Sequence, residues 1–220
     1  MLFGNNMNIV EILLCIPAAL IALTVHEYCH GYVAYRLGDP TARSLGRLSL
    51  NPLKHLDPIG AVLMIVCGFG YAKPVPINPR YFKNPRKGMA LTAAAGPLAN
   101  FLLAFLGALL YQLTLLLLPI AGTEFLLRFV LFLASFFATF HYLNLSLCVF
   151  NMIPLPPLDG SRIFYIFLPP KLYFRVMKYE RIIMIVLLVA LGLGAFSGLI
   201  HVIVNAISGG MLWLTSLLIP

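Results

Sequence analysis

Residues His26 to His30 read HEYCH, two histidines four apart with a glutamate beside the first. On a helix that spacing separates the two imidazoles by about 40° around the axis and about 6 Å along it, so both reach one metal ion. Glu27 then stands where a carboxylate can contact a water activated by the metal without itself being a ligand. With five His and four Glu among 220 residues, chance placement gives ~0.002 such matches, so coincidence is a poor account of the motif. The structural alternative is a pair of buried histidines satisfied by neighbouring polar groups. An ionisable residue at membrane depth costs on the order of 2.5 kcal/mol or more, and metal binding offsets that cost.

Zinc in a catalytic site commonly takes three protein ligands and leaves a fourth position open. Only seven carboxylates are available for the third. Glu27 is reserved for the water, Glu11 and Glu124 belong to the far membrane side, and Glu180 lies in a basic loop. Asp39 and Asp57 flank prolines, where turn formation explains them. Asp159 remains, in NMIPLPPLDG, where Pro154, Pro156 and Pro157 cannot sustain a helix. Unwound backbone at membrane depth is tolerated where it is buried in protein or lines a wet cavity. Its alternative role is to cap the next helix. Asn100, in GPLAN, and Asn151 are amides able to donate hydrogen bonds to an oxyanion, or merely to join helices. His55 reads as a loop residue, and His141 and His201 as packed polar residues.

These residues need elements to hold them. The chain is 61% hydrophobic and 10% charged, against about 25% charged for an ordinary soluble domain. Residues 88–123, 129–158 and 182–220 contain no Lys, Arg, Asp or Glu. Segments of roughly 18 or more apolar residues are candidates to cross a bilayer. The expected fold is an all-α polytopic membrane protein with four transmembrane helices, and six if shorter pieces also cross. The spans are residues 9–36, 88–118, 124–150 and a fourth from residue 182, with 182–220 forming one helix or two broken near Ser197 and Gly198. Between the first and second spans, residues 58–72 read as a re-entrant segment. Gly70 to Phe82 reads as short extended strands or a hairpin, with an edge to which an extended peptide can add. The domain reading is a single unit, residues 1–220, with a core at 9–168 and a C-terminal helical segment at 182–220.

The formal charge of +8 comes mainly from two clusters, nine basic residues between Arg36 and Lys87 and five between Arg162 and Arg181. Basic loops stay on the cytoplasmic side, so the excess reports topology, and nucleic acid is excluded as a partner. HEYCH then lies toward the cytoplasmic face. Cys15, Cys29, Cys67 and Cys148 form no CxxC pair and read as reduced packing residues. The N-terminus lacks the basic segment of a secretory leader, so the first helix is expected to be retained.

HEYCHG, GRLSLNPLKHLDPIG, GYAKPVPINPRYF, AAAGPLAN and NMIPLPPLDG stand in an order that resembles the site-2 protease family, across roughly Leu20 to Ile163. The chain is most similar to the compact prokaryotic branch without a PDZ or CBS domain. The resemblance implies an intramembrane zinc metalloprotease in a prokaryotic cell membrane, acting on transmembrane protein substrates within the lipid bilayer. It implies one Zn2+ held by His26, His30 and Asp159, Glu27 as catalytic base, and Asn100 and Asn151 as polar residues near the catalytic centre. The reading from another class is a membrane metal-binding or transport protein without proteolytic activity.

Overall fold

The computed structural model describes residues 9–57, 60 and 72–219. Its helices are α1 (Ile9–Arg36), α2 (Thr41–Ser44), α3 (Pro85–Leu115), α4 (Glu124–Asn151), α5 (Asp159–Phe164), α6 (Pro170–Lys178), α7 (Glu180–Gly192) and α8 (Ser197–Leu218). Four stretches are long and apolar enough to cross a membrane: Leu13–Arg36, Pro85–Ile120, Glu124–Asn151 and Ser197–Leu218. The first three match the expected spans. The fourth differs from its expected start at residue 182. Residue 182 belongs to α7, whose 13 residues fall short of the roughly 20 that a crossing needs. The break lies at residues 193–196, where Gly194 (φ 81°) and Phe196 (φ 69°) adopt left-handed conformations. That backbone stops one helix before α8 begins.

Helix starts follow local chemistry. The Asn84 side chain accepts the Lys87 amide at 3.1 Å with Pro85 at the first helical position, and Thr123 Oγ1 accepts the Leu126 amide at 3.2 Å. Such caps satisfy amides that the first turn leaves unpaired.

Packing inverts the pattern of a water-soluble protein. The buried face of α3 is built from Gly88, Ala90, Thr92, Ala93, Gly96, Ala99, Asn100, Ala104, Gly107 and Ala108. Leu91, Leu98, Leu102, Leu106 and Leu113 are exposed on the same helix. Leucine gains nothing by moving from lipid into protein, whereas small residues let backbones approach closely. On this seam α3 packs against both α1 and α4, and α1 also touches α4. Helix α8 lies against α3 and α4, joined through a cluster of Ala104, Leu145, Val204 and Met211. Two hydrogen bonds add to that joint: His141 to Ser208 Oγ at 2.8 Å and Tyr142 Oη to His201 Nδ1 at 2.7 Å. His141 is thus a packed polar residue, as expected, whereas His201 is exposed and is held through Tyr142 instead. His55 is a buried loop residue whose Nε2 lies 2.7 Å from the Ser49 carbonyl.

Among the described residues the connection from α1 to α3 forms no strand, so the short strands or hairpin expected over Gly70 to Phe82 are absent from residues 72–82, where Pro74, Pro76 and Pro79 interrupt pairing. One antiparallel bridge joins Leu56 to Ala72, and residues 73–78 continue as an irregular strap. The expected re-entrant piece, residues 58–72, lies almost wholly outside the described residues. Three strap amides are held from below: Lys73 by the His55 carbonyl at 2.8 Å, Val75 by Glu27 Oε2 at 2.8 Å and Asn78 by Asp39 Oδ2 at 2.6 Å. Asp39, fully buried, also accepts the Thr41 amide at 2.9 Å. It therefore makes the expected turn and anchors the strap as well.

Position 107 tests the small-residue seam. A Cβ there would lie 3.0 Å from the His141 backbone, whereas one at Gly209 would have no neighbour within 4 Å. Gly107→Leu is expected to lower the thermal midpoint in detergent by the equivalent of about 1–3 kcal/mol. Gly209→Ala should leave the midpoint unchanged or slightly raised.

Candidate metal centre

The four residues HEYCH and NMIPLPPLDG were expected to bring together do share one site. His26 Nε2 and His30 Nε2 are 2.9 Å apart. Asp159 Oδ2 lies 3.1 Å from the first and 3.3 Å from the second. Both histidines are buried, and Glu27 shares with them a cavity of about 280 Å³ that Asn151, Asp159 and Arg162 also line.

Hydrogen bonds fix which ring nitrogens face the centre. The Phe140 carbonyl can only accept, so Asn144 Nδ2 donates to it at 2.8 Å, and Asn144 Oδ1 is then the acceptor for Asn100 Nδ2 at 2.9 Å. Asn100 therefore presents Oδ1 to His26 Nδ1 at 2.5 Å, and that nitrogen must carry the proton. His30 Nδ1 likewise donates to the Thr92 carbonyl at 2.7 Å. Both Nε2 atoms are left with lone pairs aimed at the Asp159 carboxylate.

Three lone pairs converging in a buried space repel one another unless a cation lies among them. Asp159 Oδ2 is buried with no hydrogen-bond partner, an orphan that a metal ion would satisfy. Donor atoms about 2.0–2.2 Å from a tetrahedral zinc stand about 3.3–3.6 Å apart, so the observed triangle need widen by only a few tenths of an ångström. The N, N, O donor set suits zinc.

Position 159 is reached by a tight fold-back. A Cβ on Gly160 would lie 2.5 Å from the Met152 carbonyl carbon and 2.6 Å from the Ile153 oxygen, so glycine lets the start of α5 press against the end of α4. The residue capping α5 is Leu158, with no side-chain cap bond. The Asp159 carboxylate faces the histidines instead of capping.

Helix α3 supplies the opposite wall. Thr92, Gly96 and Asn100 recur every four residues and form one stripe against α1. Thr92 holds His30 by its carbonyl, and Asn100 holds His26. Gly96 leaves the room between them, since a Cβ there would lie 2.5 Å from His30 Nε2 and 2.6 Å from His26 Cε1.

The two asparagines singled out from the sequence stand in different places. Asn100 is fully buried, with its oxygen on His26 and its amide protons directed to Asn144 and, at 3.5 Å, the Ala22 carbonyl. Asn151 lines the cavity and gives one amide proton to Leu147 O at 3.0 Å. Asn144 and Thr92 were not singled out. Their only signal is periodic: Thr92 lies eight residues before Asn100, and Asn144 is another amide in a charge-free span.

Gly96→Val should force α3 away from α1 or turn the imidazoles aside. The purified variant is expected to hold well under one metal ion per chain by elemental analysis, and a full complement would contradict the packing described.

The model of Peptidase family M50 matches residues 129–192. The protein is 46% identical over 170 residues to "Putative zinc metalloprotease YwhC" of Bacillus subtilis (strain 168), covering 77% of this chain and 76% of that one. It is 31% identical over 153 residues to "Putative zinc metalloprotease Rip2" of Mycolicibacterium smegmatis, covering 67% of this chain and 54% of the relative. The Rip2 of Mycobacterium tuberculosis (strain ATCC 25618 / H37Rv) is 32% identical over 147 residues, 64% of this chain and 52% of its own. The chain thus spans about half the length of the Rip2 relatives. No solved structure gives a significant match. Identity of this extent across three quarters of both chains means that the protein belongs to peptidase family M50, the site-2 protease family its motifs resemble.

Proposed function

We propose that this zinc metalloprotease hydrolyses peptide bonds in or near transmembrane segments of other membrane proteins, with His26, His30 and Asp159 as zinc ligands and Glu27 as catalytic base. The observation that carries the reading is the convergence of three potential ligand atoms beside Glu27 in one cavity walled by helices long and apolar enough to cross a membrane. Zinc held there would supply Lewis acidity, polarising a carbonyl and bringing the pKa of a water to about 7.

The chain's own residues account for the rest. Glu27 Oε2 is engaged by the Val75 amide, so we assign Oε1 to take the proton from the attacking water and return it to the leaving amine. Asn100 acts through His26, fixing its tautomer, rather than as an oxyanion donor. Asn151, with a second amide proton unspent, is the one we assign to the developing oxyanion. A transmembrane helix hides its carbonyls in its own hydrogen bonds, so the substrate must unwind before it is cut. If an extended peptide then adds to residues 73–78, it must use positions other than the amides of Lys73, Val75 and Asn78, which are already bonded.

The site end of the protein carries Arg36, Arg43, Arg47, Lys54, Lys73, Arg80, Lys83, Arg86 and Lys87, which supports a cytoplasmic placement by the positive-inside rule. A cysteine at Leu53, 76% exposed in that loop, should be labelled by a polar thiol reagent from the cytoplasm. Labelling solely from outside would reverse the topology.

Purified protein should contain one zinc per chain, and Glu27→Gln should retain that zinc while abolishing cleavage of a transmembrane peptide. Ion flux that persists in Glu27→Gln, with no cleavage by the wild type, would favour a transporter instead. Asn100→Ala should weaken zinc binding by roughly 10- to 100-fold in competition with a chelator, as removal of a ligand's hydrogen-bond partner typically does.

A further inference from the structure

Among the described residues, four buried side-chain polar atoms lack a hydrogen-bond partner: Arg47 Nε, His55 Nδ1, Thr92 Oγ1 and Asp159 Oδ2. The last two belong to residues lining one cavity. A cation among the three ligand atoms accounts for Asp159. Nothing so far accounts for Thr92.

Thr92 is fully buried, and its two oxygens behave differently. The carbonyl receives the His30 Nδ1 proton, while the hydroxyl touches no partner. Helical threonines and serines usually turn the hydroxyl onto a carbonyl of the preceding turn. Thr114 does so with Leu110 at 2.7 Å, Ser135 with Leu131 at 2.9 Å and Thr215 with Leu212 at 3.1 Å. Thr92 forgoes that bond, although it lies two turns inside the same kind of helix. Valine would fill the same volume without the desolvation penalty of an unpaired hydroxyl, so stability alone would favour valine here. The other residues that α3 contributes to the cavity wall are Met89 and Ala93. Thr92 is therefore the polar residue that α3 contributes to that wall, its hydroxyl closed off from water while its carbonyl orients a ligand.

We propose that Thr92 is a catalytic residue whose hydroxyl hydrogen-bonds an oxygen of the reacting system, supplied by the attacking water or by a carbonyl of the bound peptide. The proposal rests on the proteolytic reading above. A hydroxyl donates one hydrogen bond and accepts others, so it suits either oxygen. Its pairing occurs only when the cavity is filled, and the unpaired state is the cost carried between turnovers.

Thr92→Val removes the hydroxyl and keeps the shape. The expected result is one zinc per chain, a thermal midpoint in detergent equal to or above wild type, and kcat/KM on a transmembrane peptide lowered about tenfold, the equivalent of about 1.4 kcal/mol. Thr92→Ser should recover most of that activity. Peptide affinity measured on Glu27→Gln, with and without Thr92→Val, separates the two oxygens. Weaker binding assigns the hydroxyl to the peptide carbonyl; unchanged binding with lower kcat assigns it to the water. Wild-type kcat/KM in Thr92→Val would overturn the proposal. So would activity lost together with zinc or thermal stability, since the residue would then be structural. If wild-type protein holding one zinc cleaves no transmembrane peptide, the proteolytic reading fails first, and this proposal falls with it.

Discussion

Two imidazoles can lie between α1 and α3 only because position 96 carries no side chain. That single absence sets the spacing of the helices, and the neighbouring turns use the closeness it creates. One turn earlier Thr92 brings its carbonyl to His30, and one turn later Asn100 brings its amide oxygen to His26. The lone pairs of both rings consequently point the same way, toward a carboxylate delivered from a third element. The candidate metal centre is thus a property of helix separation before it is a property of ligands.

The same separation explains the composition of the core. Close backbones exclude large side chains, so Ala and Gly fill the seam while Leu and Phe face outward to lipid. A burial pattern of this kind offers little hydrophobic contrast between faces, because both are apolar and they differ mainly in size. Polar residues within the seam stand out chemically for that reason, and each one buried there is committed to a hydrogen bond, a ligand or a reactant.

Much of this was legible from residue types. Scarcity of charge let the carboxylates be assigned individually, so Asp159 was placed beside His26 and His30 without knowing where the chain folds back. HEYCH declared its own geometry through helical spacing, and the first three spans followed from charge-free length. What stayed hidden depended on directions that a string of letters does not carry. Asn100 was recognised as important, but whether its oxygen or its nitrogen faces the centre is decided by Asn144 and the Phe140 carbonyl, on another helix. A break near Ser197 and Gly198 was one of two readings of residues 182–220, and what decides for it is a left-handed Phe196 beside Gly194, a conformation of which phenylalanine gives no warning. Asp39 announced a turn, and its second oxygen could be placed only once residue 78 was brought beside it across 39 positions of sequence.

The bond between Glu27 and residue 75 runs to a backbone amide, and that has a genetic consequence. No side-chain replacement at position 75 other than proline can delete the donor, so substitutions there would report the packing of buried Val75 and not its contact with the proposed base. The information that orients Glu27 is carried instead by whatever fixes the path of the strap: Asp39 under residue 78, Arg47 over the carbonyls of Lys73 and Pro74, and the prolines that limit its conformations. Selection acting on the base would leave its imprint at those distant positions, while position 75 itself would record only the packing of its side chain.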